Sequence, residues 1–141
     1  MELSEVHPKV SQVICEALGR DPETLPLSAR LINDLGAESI DYLDILFRLE
    51  RAFAVKIPRG QITRQARGDL SEEEFQQGGV VTPVGLERLR SYLTEVPADG
   101  IRTGLKVGEI PALFTVETFC KLVLRALEEK SQAAGAAGDS R

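Results

Sequence analysis

Asp34-Leu35-Gly36-Ala37-Glu38-Ser39-Ile40-Asp41 is the stretch on which the reading of this chain turns. A glycine turn delivers a serine to the first turn of a helix. The first N–H groups of a helix lack internal partners, and the dipole is positive there. A phosphate ester on Ser39 therefore sits well at that position. The electrostatic gain is only about 0.3–1 kcal/mol on an exposed surface, so it tolerates such a modification without requiring it. Taken alone, Ser39 is better explained as an ordinary helix cap.

Working outward, residues 39–53 predict the second helix. Nine of the fourteen residues from Ile40 to Phe53 are apolar. Asp41, Asp44, Arg48 and Arg51 fall at spacings of three and four, so the helix is expected to be mostly covered with one wet edge. Val55-Lys56-Ile57-Pro58 then leaves it in extended form.

Upstream, the first helix is expected over 4–18, with Ser4 as cap and Gly19 closing the end. Val6, Val10, Val13, Ile14, Ala17 and Leu18 mark its apolar stripe. Residues 20–38 carry Leu25, Leu27, Leu31, Ile32 and Leu35, too apolar for a loop that floats free. Downstream, Ser71-Glu72-Glu73-Glu74 reads as a capping box and Gly78-Gly79 as a break. Thr82-Pro83 starts a helix of about three turns, and 97–108 reads as loop. The last helix is expected from Thr115 as cap to about Leu127, burying Val116, Phe119, Cys120, Val123, Leu124 and Leu127. The small, polar tail 131–141 reads as disordered.

Composition narrows the function classes. The 141 residues hold 22 acidic and 17 basic side chains, a net charge of −5. Ten acidic and six basic ones lie in residues 1–58, so the acidity is concentrated there. An acidic chain with no Trp and 5% aromatics disfavours nucleic-acid binding. No run of eighteen apolar residues supports membrane insertion, and the start reads as free of a secretory leader. Cys15 and Cys120 sit inside apolar helical patterns and read as reduced core thiols of a cytoplasmic protein. One histidine, His7, and two distant cysteines make no metal site, and no Ser-His or Cys-His pairing supplies catalytic machinery.

The frame around Ser39 resembles the acyl carrier proteins. Asp34 to Asp41, then Leu43, Asp44, Leu49, Glu50 and Phe53, and Val55-Lys56-Ile57-Pro58 follow the family pattern D-L-G-A-D-S-L-D, E-x-x-F and I-P. Glu38 replaces the usual Asp, and Ile40 the usual Leu. The resemblance implies an all-α, four-helix bundle formed by residues 1–58 and 112–130. Residues 59–111 form a helical insertion between the second and last major helices. Gly79 to Arg90 and Ile110 to Val116 further resemble the longer, specialised bacterial carriers, some of which serve very-long-chain acyl groups destined for lipid A.

By the same resemblance Ser39 carries 4′-phosphopantetheine, derived from coenzyme A, and holds acyl groups on it as thioesters for fatty-acid or specialised lipid synthesis. Such a chain is a carrier, not an enzyme, with no catalytic residues of its own. Glu38, Asp41, Asp44 and Glu50 are then expected to meet basic patches on a phosphopantetheinyl transferase and on acyl-loading, chain-elongating and acyltransferase enzymes. Arg48 and Arg51 are expected to select among those partners. Ile40, Leu43, Phe47 and Ile57 are expected to line a cleft for the start of the acyl chain, or to be plain core. The chain is expected to be a monomer. The alternatives are an unmodified carrier-like interaction module and a peptidyl or polyketide carrier.

Overall fold

A computed structural model describes residues 2–57 and 61–139, with side chains left undescribed at residues 39, 61, 62 and 133–139. Six helices and one small hairpin follow in order: α1 (Leu3–Leu18), α2 (Ser39–Phe53), α3 (Gln61–Arg67), α4 (Glu72–Phe75), β1 (Gln76–Gln77), β2 (Val80–Val81), α5 (Pro83–Tyr92) and α6 (Val116–Asp139). Two 3-10 segments, Ala98–Gly100 and Val107–Leu113, lie between α5 and α6. The architecture is a helical bundle, as the sequence predicts.

α1 starts at Leu3, ahead of its expected Ser4 cap. The Glu2 N–H donates to Glu5 Oε1 at 2.9 Å, so a glutamate at the third helical position closes the end and Ser4 falls inside the first turn. Gly19 closes the other end at φ +68°, a left-handed conformation that costs glycine nothing. α1 packs against both α2 and α6. Val6, Val10 and Ile14 are fully buried there with Phe119 and Val123 of α6 and Ile45 and Leu49 of α2. Burying each such side chain contributes about 1.5–3 kcal/mol before entropy.

The long loop 20–38 is tied down along its length. The Leu25 N–H donates to Ser11 Oγ at 3.0 Å, and the Leu25 carbonyl lies 2.6 Å from His7 Nε2. The Val116 and Glu117 N–H groups donate to the Ala29 and Leu27 carbonyls, at 2.9 and 3.0 Å. These bonds satisfy the orphan donors at the start of α6 and anchor the loop on it. Thr115 and Thr118 complete the cap reciprocally: each N–H donates to the other's Oγ1, at 3.0 and 3.3 Å.

The insertion is a small structure of its own. α3 and α4 pack on α5. β1 and β2 form a two-residue antiparallel hairpin turned by Gly78 and Gly79, both at positive φ. The expected break at Gly78-Gly79 is therefore a hairpin turn. The segment 105–107 lies against it, with the Val81 N–H donating to the Leu105 carbonyl and the Val107 N–H to the Gly79 carbonyl. The capping box at Ser71–Glu74 and the Thr82 cap form as expected. Gly85 has to be glycine: a Cβ there would lie 2.4 Å from the Phe75 carbonyl oxygen.

Two polar clamps fix the insertion to α6. Glu95, whose side chain is 1% exposed, accepts from Lys121 Nζ at 2.7 Å and from Thr118 Oγ1 at 2.6 Å. Arg125 lies over the Tyr92 ring at 4.7 Å and donates to its hydroxyl at 2.6 Å. A buried carboxylate paired on both oxygens escapes the cost of an unsatisfied charge.

One difference concerns the tail. Residues 131–141 read as disordered, yet α6 continues to Asp139. Ala133, Ala134, Ala136 and Ala137 favour this continuation while Gly135 and Gly138 oppose it, and extending an existing helix needs no new nucleus. The last two positions of that tail and the expected extended residue Pro58 lie outside the described residues.

Candidate functional site

The turn before Ser39 is built from Asp34. Its Oδ2 accepts from the Arg30 backbone N–H at 2.8 Å and from Arg30 Nε at 3.3 Å. The Asp34 and Leu35 N–H groups in turn donate to the Arg30 carbonyl. The bond from the Arg30 backbone, then the one from its guanidinium, holds the Asp34 carboxyl below the usual carboxylate range. Gly36 follows at φ +74°, which lets the chain reverse without strain. The Ala37 N–H then donates to the Leu31 carbonyl at 3.2 Å, and the Leu31 N–H donates to the Phe114 carbonyl at 3.0 Å. Asp34 and Gly36 thus fix where α2 begins.

Ser39 is the first residue of α2, and Glu38 is the cap. The Glu38 N–H donates to Asp41 Oδ2 at 2.8 Å. The serine is therefore not the helix cap, because the Glu38–Asp41 pair closes that end. Ser39 is left without the capping role that would otherwise explain it. A swinging arm needs the serine hydroxyl to face solvent; that side chain lies outside the described ones. Its neighbours Glu38 and Ile40 are both exposed.

The residues expected to face partners fall into distinct groups. Glu38 and Arg51 are exposed, while Asp41 is half-buried with one oxygen in the cap. Asp44 and Arg48 pair with each other at 2.9 Å, one turn apart. Glu50 turns back on its own chain, where its Oε2 accepts from the Ile57 N–H at 2.7 Å. It holds the extended exit of α2 against the helix that precedes it.

The expected acyl cleft does not form from its four residues. Ile40 is 69% exposed and Phe47 54%, so both stand on the outer surface. Ile57 is buried core and Leu43 half-buried. The reason is how many neighbours α2 has. α1 on one side and α6 with the 107–113 segment on the other cover Ile45, Leu46 and Leu49. Nine apolar residues are more than these neighbours can cover, and the surplus faces out. The result is an outer ridge of Ile40, Asp44, Phe47 and Arg51 at helical spacing. Two exposed apolar side chains thus stand beside charged ones along one face of α2.

Behind the ridge, the Tyr42 ring lies 5.4 Å from Phe114 and 6.1 Å from Phe119. Burial raises the Tyr42 hydroxyl above its ordinary range, so it stays neutral. Among the described residues no group of His, Cys, Asp and Glu is placed to hold a metal ion. Also among them, no helix is long and apolar enough to cross a membrane. Cys15 and Cys120 are free and buried, and burial pushes the Cys120 thiol up to about 12.

A family model described as a phosphopantetheine attachment site matches residues 8–66. The match spans most of α1, the Asp34 turn, Ser39, all of α2 and most of α3. The acyl carrier protein AcpXL of Rhizobium meliloti (strain 1021) is 37% identical over 76 residues, 53% of this chain and 80% of that protein. AcpXL of Brucella melitensis biotype 1 is 36% identical over 74 residues, 52% of this chain and 80% of that protein. The acyl carrier protein of Bdellovibrio bacteriovorus is 42% identical over 53 residues, 38% of this chain and 68% of that protein. No solved structure matches the chain. The glycine turn, the serine freed from capping and these relatives agree: the chain belongs to the acyl carrier proteins, a family of carriers whose cofactor is 4′-phosphopantetheine.

Proposed function

We propose that Ser39 is the residue that carries the 4′-phosphopantetheine arm, and that acyl groups ride on it as thioesters through fatty-acid or specialised lipid synthesis. The observation that carries this reading is local. Ser39 opens α2, both its chain neighbours are exposed, and the cap is already made by Glu38 and Asp41. A phosphodiester there meets the positive end of a fifteen-residue helix. The chain contributes a rigid mount: the Asp34–Arg30 turn and the Leu31–Phe114 bond hold the helix start in place.

Partners meet α2 along its outer ridge. Glu38 offers negative charge near Ser39, Ile40 and Phe47 offer apolar contact, Arg51 offers positive charge at the far end, and the Asp44–Arg48 pair lies between them, open to exchange with a partner's charges. The near end suits the basic docking patch of a phosphopantetheinyl transferase and of acyl-loading, elongating and acyltransferase enzymes. The far end selects among them. Rim charges raise encounter rates and choose partners more than they prolong contact, which suits a shuttle. The two free thiols fit a reducing cytoplasm, and the carrier works as a monomer on this reading.

Intact mass is the test. Incubating the protein with coenzyme A and a broad phosphopantetheinyl transferase should add the mass of one phosphopantetheine to the native chain and none to Ser39→Ala. An unchanged native mass with several transferases would favour the unmodified interaction module.

A further inference from the structure

We propose that the insertion gives the arm a resting groove, which binds its neutral, amide-bearing pantetheine portion beyond the phosphate. This rests on Ser39 being the attachment point. A groove of about 610 Å³ runs between the loop at 28–33 and the insertion at 95–102, floored by Ala112 and Leu113. A second hollow of about 310 Å³ shares Asn33, Gly100, Arg102, Ala112 and Leu113 with the first and so continues it. These volumes are in the range of small-molecule sites. One wall is the segment that leads to Ser39; the other exists only because of the insertion.

The groove lies at the Ser39 end of the bundle. Leu113 directly precedes Phe114, whose ring packs on Tyr42, three residues into α2 from Ser39. Three helical residues rise only about 4.5 Å. Asn33 stands two positions from Leu31, which hydrogen-bonds both to Phe114 and to Ala37. A tether leaving Ser39 therefore starts next to elements that line the groove.

The lining selects the ligand chemistry. Arg30 is committed to Asp34, and Glu95 to Lys121 and Thr118. That leaves Ser28, Asn33, Asp99 and Arg102, all exposed, and Arg102 has no ion pair among the described residues. Donor and acceptor groups of both charges stand beside the apolar Val96 and Leu113. A site with an aspartate beside its arginine does not favour a phosphate or carboxylate. It fits a ligand whose N–H and C=O groups alternate with branched alkyl carbon, which describes pantetheine: two secondary amides and a dimethyl carbon.

The experiment uses the full chain, labelled with ¹⁵N and ¹³C, before and after loading from coenzyme A. Intact mass first reports loading. In the loaded protein, amide shifts are expected at Asn33, Gly100, Arg102 and Leu113, with nuclear Overhauser contacts between the arm's dimethyl protons and the Leu113 methyls. Arg102→Ala and Asn33→Ala, both on exposed positions, should raise the alkylation rate of the arm thiol by about five-fold each, the worth of one net hydrogen bond. A mass gain with shifts confined to the Ile40–Phe47 ridge overturns the groove and leaves Ser39 standing. Unchanged alkylation in both variants also overturns the groove. No mass gain overturns the Ser39 reading and the groove together.

Discussion

The backbone N–H of Ile57 donates at 2.7 Å to Oε2 of Glu50, seven positions earlier, at the far end of α2. Glu50 thereby stops α2 from unravelling into the segment that follows and holds Ile57 in the core, where it is 4% exposed. Glu50→Ala should cost about 1.5–3 kcal/mol, as for a lost hydrogen bond to a charged group. Urea unfolding measures this. Phosphopantetheine loading at saturating transferase should change little. If instead stability holds and partner rates fall, Glu50 is a docking residue after all.

Asp34 makes the Ser39 end sensitive to acid. Its folded-state carboxyl is held low by the Arg30 backbone and guanidinium. A depressed folded value means the bonds help at pH above the unfolded value, about 3.9, and the help is lost as pH falls through the lower, folded one. Carboxyl-carbon shifts should show Asp34 titrating below ordinary aspartates. The Ala37 and Gly36 amides should lose exchange protection over that same low-pH range. An Asp34 midpoint at or above about 3.9 would remove the turn's dependence on that charge.

Arg48 and Arg51 should govern choice among partners. Replacing both with Glu breaks the half-buried Asp44–Arg48 pair, worth about 0.3–0.5 kcal/mol, and puts negative charge beside Asp44 and in the last turn of α2 at a further cost of about 0.3–1 kcal/mol, small enough that the fold should persist. Transfer rates with general fatty-acid enzymes should rise relative to those with a dedicated partner, and the rates should fall with added salt. An unchanged ratio between the two enzyme classes would show that these arginines are merely solvated.

Gly85 tests the insertion. A methyl group there meets the Phe75 carbonyl at 2.4 Å and Val81 Cγ1 at 2.8 Å. Gly85→Ala should destabilise by about 1–3 kcal/mol through overpacking. Because Glu95 and Arg125 clamp the insertion to α6, the loss should appear in one cooperative transition rather than as local fraying. Melting by calorimetry distinguishes the two.

Cys120 should resist alkylation in the native state. It is fully buried, and its thiol is pushed up to about 12, so almost no thiolate forms near neutral pH. Native apo-protein should take up no maleimide within minutes, and loaded protein one. Labelling of Cys120 in native apo-protein would mean that α6 opens readily.

Much of the bundle is legible because short-range chemistry writes it. Thr82-Pro83, Ser71 to Glu74 and Thr115 each carry their own cap, and α1, α2 and α6 show their periodicity openly. α3 escaped because Gln61 to Arg67 has almost no apolar stripe; among its described side chains Ala66 alone is buried against the core. Its signal was Gly68, at φ +57°, standing just past a run without Gly or Pro. The hairpin escaped because two-residue strands hold no alternation to read.

The amino-acid order by itself determined the glycine turn, the serine at the head of α2 and the family they belong to, since these depend on contacts a few residues apart. Tertiary structure alone decided which side of α2 stays bare. Ile40 and Phe47 are as apolar as Ile45 and Leu49, and only the number of helices able to reach α2 separates the exposed pair from the buried one. It likewise decided that Glu50 binds its own chain and that a distant insertion closes a groove beside the loop before Ser39, because both depend on segments meeting in space.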